Sequence, residues 1–269
     1  MSILDTIVVR KKAEVAERKE RQTINTLEKS SLFDRPTYSL SQALRQTTPG
    51  IIAEFKRKSP SKGIINDQAG VSDTTRGYIK AGAAALSVLT DIDFFNGSDE
   101  NLQIAREQNV APILRKDFTI DEYQITEAKA IGADAILLIA AILPPPRVLA
   151  LAQHAHRLGL EVLLEVHNET ELQQTALNDL IAPFIDVVGV NNRDLNTFHT
   201  TIETSIQLAQ LMPKEIVKIS ESGINDPANI RTLMDHGYEG FLIGEYFMKQ
   251  SNPAQACQEF IQEVNALSV

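Results

Sequence analysis

Cysteine is almost missing from this chain: 269 residues contain one, Cys257, close to the end. A single thiol builds neither an intrachain disulfide framework nor a thiolate metal site, and it favours a reducing, cytoplasmic setting. Long apolar runs are missing too. No stretch reaches the ~20 residues that a bilayer-spanning helix needs, so no membrane partner is expected. Residues 1–22 mix charges of both signs (Arg10, Lys11, Lys12, Glu14, Glu17, Arg18). They lack the apolar run of a secretory signal, and their acids argue against a transit peptide. Basic residues are in deficit, 26 Lys and Arg against 35 Asp and Glu, with net charge −9 and a pI near 5.1. Such a chain repels a phosphate backbone, which excludes general nucleic-acid binding but leaves room for a local basic pocket that takes one small anion. The histidines, His154, His156, His167, His199 and His236, lack metal-ligand spacing; His154 and His156, two apart, would not share a helix face. They are read as structural or surface residues, and no metal is expected. There is no G-x-G-x-x-G, no Walker loop, no G-x-S-x-G, no internal repeat and no linker.

What the sequence does contain is a rhythm. After Gly50, short runs rich in Ile, Val, Leu and Ala recur at 51–56, 84–89, 111–115, 135–139, 161–165, 186–190, 216–220 and 240–243. Helical patterns lie between them, starting near Val71, Asp99, Asp121, Pro145, Glu169, Thr201 and Pro227, and an eighth spans 253–266. Gly82, Gly132, Gly159 and Gly237 stand where helices should end. Alternation of this kind predicts parallel strands joined by helical crossovers. Eight units fit a closed barrel better than an open doubly wound sheet. The fold class expected is therefore α/β, a single (β/α)8 TIM barrel. Residues 51–269 form the barrel and residues 1–50 an N-terminal helical extension. Its first helix follows Leu4, Ile7, Val8, Lys11, Val15 and Arg18, and a short second one covers 40–45.

Polar residues gather where the runs end: Glu54-Phe55-Lys56, Arg115-Lys116-Asp117, Glu165, Asn191-Asn192-Arg193, Ser220-Glu221-Ser222-Gly223 and Gly244-Glu245. In a parallel barrel these ends converge on one rim, the place of barrel active sites. Strand side chains alternate, so Glu54 and Lys56 share a face, read as the inner one, while Phe55 suits the helix layer. A lone charge at a strand end is usually solvated. Six such ends together predict a paired cluster of Lys56 and Lys116 with Glu54, Glu165 and Glu221, because buried lysines and glutamates must pair. Such a cluster is either a structural network or an acid–base set. Ser222-Gly223 and Gly244-Glu245 lie where many barrels hold a phosphate with backbone N–H groups, and Ser59-Pro60-Ser61 could close the same site. Phe94 and Phe95 are candidates for an aromatic pocket or for loop anchors.

Five segments taken in order (52–61, 114–118, 163–167, 189–195 and 220–224) resemble the indole-3-glycerol-phosphate synthase family of tryptophan biosynthesis, over the length from the N-terminal helix to the last. The resemblance implies a lyase without metal or cofactor, acting on 1-(2-carboxyphenylamino)-1-deoxyribulose 5-phosphate. That substrate would be its small-molecule partner. Apart from the resemblance, a monomer is the expectation for its assembly. By resemblance Lys116 is the acid that protonates the substrate ketone, and Lys56 holds the anthranilate carboxylate. Glu165 moves a proton during dehydration, Glu54 orients the lysines, and Asn191, Glu221 and Ser222 order the site, with Arg193 bracing it. Ser59, Ser222, Gly223 and Gly244 seat the phosphate, and Phe94, Phe118 and Leu195 enclose the benzene ring. Glu245 is a departure, since several family members carry a small hydroxyl residue there. A carboxylate repels phosphate, so only its backbone N–H could serve. Two other readings stay open. One is a different phosphate-binding barrel enzyme: an isomerase, for which Cys257 lies in the wrong place, or a Schiff-base aldolase, which needs a lysine of lowered pKa. The other is a barrel that binds a phosphorylated ligand without turnover.

Overall fold

The computed structural model describes residues 3–194, 197 and 199–267. Eight parallel strands close on themselves in chain order: β1 (Gly50–Phe55), β2 (Ala85–Leu89), β3 (Ile113–Lys116), β4 (Ala135–Ile139), β5 (Glu161–Val166), β6 (Val187–Asn191), β7 (Val217–Glu221) and β8 (Gly240–Ile243), which pairs back onto β1. The expected barrel is therefore present, with strand ends within one or two residues of the apolar runs. The largest offset is at β3, which starts at Ile113 rather than Ala111. At β3, β5, β6 and β7 the ladder also runs one residue past the apolar run, because backbone pairing does not depend on the side chain.

The alternation holds as read. Ala53 and Phe55 belong to the core between barrel and helices, whereas Ile52 belongs to the cluster inside the barrel with Leu114, Leu163 and Ile219. The helices around the barrel start where the caps are. They are α4 (Val71–Lys80), α5 (Asp99–Gln108), α6 (Glu122–Ala130), α7 (Pro145–Arg157), α8 (Glu169–Gln174), α9 (Glu203–Ala209), α10 (Pro227–Asp235) and α12 (Pro253–Ala266), with a four-residue turn α11 (Glu245–Met248) before the last. Ser98, Asp121, Asn168, Asp226 and Asn252 accept backbone N–H groups at the starts of α5, α6, α8, α10 and α12. The four glycines expected at helix ends all have positive φ.

The extension does more than pack one helix on the barrel. Helix α1 (Ile3–Arg21) crosses the rim, with Ile7 in the barrel-interior cluster. The chain then descends the outside through a short helix α2 (Ile24–Leu27) and the loop that follows. There Ser30 Oγ donates to Ala130 O at 2.6 Å, and Arg35 pairs with buried Asp134 at 2.6 Å. Helix α3 (Leu40–Gln46) plugs the opposite end, with Leu40 and Leu44 fully buried among barrel-interior side chains. Every residue of α6 from Tyr123 to Ala130 is buried as a result, Lys129 included, whose Nζ donates to Arg35 O at 3.0 Å. Periodicity could not show this, because α6 is covered on both sides.

Candidate active site

A cavity of about 380 Å³ opens on the rim at the carboxyl ends of the strands. Its floor and walls include Glu54, Lys56, Ser59, Lys116, Phe118, Glu165, Asn191, Arg193, Glu221, Ser222, Gly223, Gly244 and Glu245. The structure thus brings most of the sequence-derived residues to one place. Phe94 is the exception. Both it and its neighbour Phe95 pack against the barrel-interior cluster, but of the two only Phe95 lines the cavity, 6.0 Å from the ring of Phe118. The Phe94 backbone N–H donates to Asp91 Oδ1 at 2.8 Å, which fixes the turn so that Phe95 faces inward. Leu195 lies outside the described residues.

Strand positions set the chemistry. Glu54 and Ser87 are register partners on β1 and β2, and Ser87 Oγ donates to Glu54 Oε2 at 3.0 Å. Glu54 Oε1 pairs with Lys56 Nζ at 2.8 Å. Lys116, the last residue of β3, places Nζ between Glu165 Oε2 (3.1 Å) and Glu221 Oε2 (2.9 Å). Asn191 Nδ2 donates to Glu165 Oε1 at 3.0 Å, while its Oδ1 accepts the Arg193 N–H at 3.0 Å. Two lysines and three glutamates leave one negative charge in excess, and the glutamates are 1–5% exposed. The site answers this excess by splitting its carboxyls. Burial and the neighbouring Glu165 push Glu221 up to about 7, against the pull of Lys116. Glu165 is also desolvated, but Lys116, His167 and Asn191 hold it well below the carboxylate range. Burial opposes the charge on Glu54, yet Lys56 and then Lys116 keep it low. Burial also pulls Lys116 down, and Glu221, Glu165 and Glu54 more than offset it, so its ammonium is held above the ordinary lysine range. That direction disfavours a Schiff-base nucleophile, which needs a free amine.

Two glycines make room for this cluster. A Cβ on Gly244 would stand 2.7 Å from Glu54 Oε1, and one on Gly189 would collide with Glu221 Oε1. Gly189→Ala is therefore expected to displace Glu221 from Lys116 and to lower turnover at least tenfold while the barrel still folds. Steady-state kinetics beside far-UV circular dichroism check this.

The turn after β7 is sharp. Ser222 (φ 68°) and Gly223 (φ 73°) are both left-handed, a conformation that costs a serine on the order of 1 kcal/mol or more. Asn192 holds it, donating to Ser222 O (3.1 Å) and to Ser220 Oγ (2.9 Å) and accepting from Ser205 Oγ (2.8 Å). Sequence reasoning noted Asn192 only as part of a polar strand end; it points to the helix layer and shapes the rim from behind. On the same side of the cavity, Ser59 Oγ is buried without a hydrogen-bond partner, and Arg193 donates to Ser61 Oγ at 2.7 Å. Glu245 turns its carboxylate toward Lys62 and Arg193, 3.9 Å from each. Ile3, Leu4 and Ile7 of α1 supply an apolar wall opposite. His167, expected to be structural or at the surface, lays its ring against Glu165, Nε2 to Oε1 at 3.2 Å.

The fold alone resembles distant barrels. A thiamine phosphate pyrophosphorylase from Pyrococcus furiosus superposes with TM-score 0.59 at 16% identity, covering 84% of this chain and 99% of that one. A tryptophan synthase α-subunit from the same organism gives 0.58 at 14%, covering 81% and 98%. Sequence similarity is closer. A protein from Bacteroides thetaiotaomicron named indole-3-glycerol phosphate synthase is 45% identical over 262 residues, 97% of this chain and 98% of that protein. One of the same name from Acinetobacter baylyi is 42% identical, covering 96% and 95%. Residues 4–260 match the family described as indole-3-glycerol phosphate synthase. With a closed barrel, paired lysines and glutamates at its rim and a relative this similar over nearly its whole length, the chain belongs to the indole-3-glycerol phosphate synthase family of carboxy-lyases.

Proposed function

We propose that this chain converts 1-(2-carboxyphenylamino)-1-deoxyribulose 5-phosphate into indole-3-glycerol phosphate, carbon dioxide and water, with its own side chains as the acid–base set. The observation that carries the assignment of roles is Lys116: a protonated lysine held between Glu165 and Glu221 at the floor of the rim cavity. The phosphate sits at the rim, seated by Ser59, Ser222, Gly223, Gly244 and the backbone N–H of Glu245, with Arg193 bracing it. The unpartnered Ser59 hydroxyl supports that seat. So does the nearness of Arg193 and Lys62 to a carboxylate they hold only loosely, at 3.9 Å. Phosphate is the remote handle whose binding energy fixes the reacting end.

The benzene ring lies against Phe118 and Phe95, and Lys56 pairs with its carboxylate and presses the ring toward the ketone. As the carboxylate-bearing ring carbon attacks the ketone carbon, Lys116 donates a proton to the ketone oxygen and a hydroxyl forms. Carbon dioxide then leaves with its bonding electrons returned to the ring. In the last step the hydroxyl departs as water with a proton from Lys56, and ionised Glu165 removes the proton whose loss completes the indole double bond. Glu54 and Asn191 hold the lysine and the carboxylate in place, and Glu221 balances Lys116.

The test mixes the purified protein with that substrate in the presence of a chelator and follows indole fluorescence. The chain contains no tryptophan, so the product is read against tyrosine alone. A rise is expected, and its absence would overturn the reading. Lys56→Met is expected to raise KM about tenfold or more, as loss of a charge-assisted contact to a carboxylate requires. A change confined to kcat would instead give Lys56 a purely chemical role. The reading includes a cytoplasmic monomer and no nucleic-acid partner, the last of these supported by the acidic charge balance. Among the described residues no helix is long and apolar enough to cross a membrane.

A further inference from the structure

Glu165 and Glu221 are the same chemical group, share one ammonium and are both buried, yet they take opposite charge preferences. What differs is the second oxygen. Glu221 Oε1 has no hydrogen-bond partner among the described residues and lies over Gly189. Glu165 Oε1 accepts from Asn191 Nδ2 at 3.0 Å and lies 3.2 Å from His167 Nε2, a charge contact whose angle falls short of a hydrogen bond. The His167 ring is fixed from its far side. Nδ1 is 3.1 Å from Glu171 Oε2, and the same oxygen accepts the His167 backbone N–H at 2.8 Å. Glu171 is itself held in the first turn of α8, where Oε1 accepts from the helix cap Asn168 at 2.8 Å. Its side chain is 19% exposed and that of His167 only 8%. Glu171, His167, Glu165, Lys116 and Glu221 thus form one line from the outer surface to the cavity floor, and His167 is not on the cavity wall.

An imidazole with a carboxylate beside each nitrogen is stabilised in its charged form, with both nitrogens protonated. Burial works against that charge, but Glu165 and Glu171 outweigh it and raise His167 to about 10. We propose that His167, without touching substrate, is the positioning residue that fixes Glu165 as the anionic member of the carboxylate pair around Lys116. Glu171 holds the ring, and Glu221 is left as the member able to carry a proton. The inference rests on the role given to Glu165 above. The charged groups facing Glu165 are Lys116 from β3 and His167 just past the end of its own strand, with Glu221 of β7 and Glu54 of β1 beyond the ammonium. Those facing His167 are Glu165 and, from α8, Glu171.

The experiment compares kcat and KM for indole formation across pH in the unaltered protein, His167→Gln and Glu171→Gln, with Glu165→Gln as reference. Glutamine at 167 can still donate an N–H but carries no charge. Removing a cation beside Glu165 raises the pH at which it loses its proton, so the acid limb of kcat should move up by about one pH unit or more. KM should stay within about twofold. The loss in kcat should be confined to the displaced acid limb and should recover above it, a recovery that mere structural damage would not give. Glu171→Gln should move the limb in the same direction by less, and it carries the test if His167→Gln fails to fold. An acid limb that stays in place, with kcat lowered uniformly or unchanged, would overturn the proposal, as would an effect on KM alone. If Glu165→Gln turns over normally, the role of Glu165 falls and this inference with it. If Glu165→Gln is inactive while the His167→Gln limb does not move, only this inference falls.

Discussion

Lys116→Met should lower kcat by at least a hundredfold and up to about ten-thousandfold, the range that a positioned general acid contributes. KM should change little, since Lys116 is assigned to the ketone oxygen as it gains charge and not to the phosphate or the carboxylate. Retained full turnover would remove Lys116 as the first acid. The variant should fold, because the two carboxylates it strands have other recourse. Glu165 keeps Asn191 and His167, and Glu221, already near 7, can take up a proton. That carries a pH signature. A carboxyl whose folded-state pKa is raised binds its proton more tightly folded than unfolded, so it lowers stability as pH rises above the unfolded value near 4. Loss of the ammonium raises Glu221 further. Lys116→Met should therefore be more stable at pH 5 than at pH 8 relative to the unaltered protein, which thermal unfolding at the two pH values measures. An equal deficit at both would mean that the carboxyls do not titrate as argued.

The largest effect on stability is expected from Lys11→Met. Lys11 is 1% exposed, and its Nζ lies within 2.9 Å of three carboxylates: Glu14 Oε2, Asp91 Oδ2 and Asp117 Oδ1. Asp91 and Asp117 follow β2 and β3, so this one ammonium fastens α1 to the rim. Removing one partner of a buried ion pair costs about 3–5 kcal/mol, because the opposite charges remain without compensation. The site should suffer with it. Asp117 follows Lys116 directly, and Ile3, Leu4 and Ile7 form a cavity wall only while α1 is docked. A fall in unfolding free energy of less than about 1 kcal/mol would mean that the carboxylates find water or other donors. The same cluster predicts acid sensitivity. Burial favours protonation of Asp117, but Lys11 and Arg115 hold its carboxyl well below the ordinary range. Its contribution is complete above the unfolded value near 4 and is lost as pH falls toward the folded one.

The barrel and its rim were legible because both follow from local patterns. Strand and helix periods alternate, caps and glycines mark the joints, and charged residues at strand ends have one place to converge. The pairing of Glu54 with Lys56 could be read from alternation along a single strand. What the sequence hid depends on contacts between distant segments. The burial of α6 needs the descending segment that covers it, and the choice of Phe95 over Phe94 needs the Asp91 turn. His167 is the sharpest case. A histidine two residues after a strand-end glutamate reads as an ordinary surface residue until Glu171, from the next helix, is seen to hold its ring against Glu165.

The path of the first fifty residues has a consequence for how the chain acquires its shape on a ribosome. Arg10 meets Asp93, 83 residues further on, and Arg45 reaches the Glu215 carbonyl 170 residues further on. The start of β1 waits longer still, since its partner β8 is the last strand to emerge. Residues 3–50 are made well before β8 and yet find their place only with it. Until then Leu40 and Leu44, apolar residues destined for the barrel interior, remain uncovered. Slow, non-local closure of this kind exposes apolar surface to neighbouring chains. Nascent chains stalled before β8 should accordingly be protease-sensitive within 1–50 and bound by holdase chaperones, and both signs should vanish once the final strand is released.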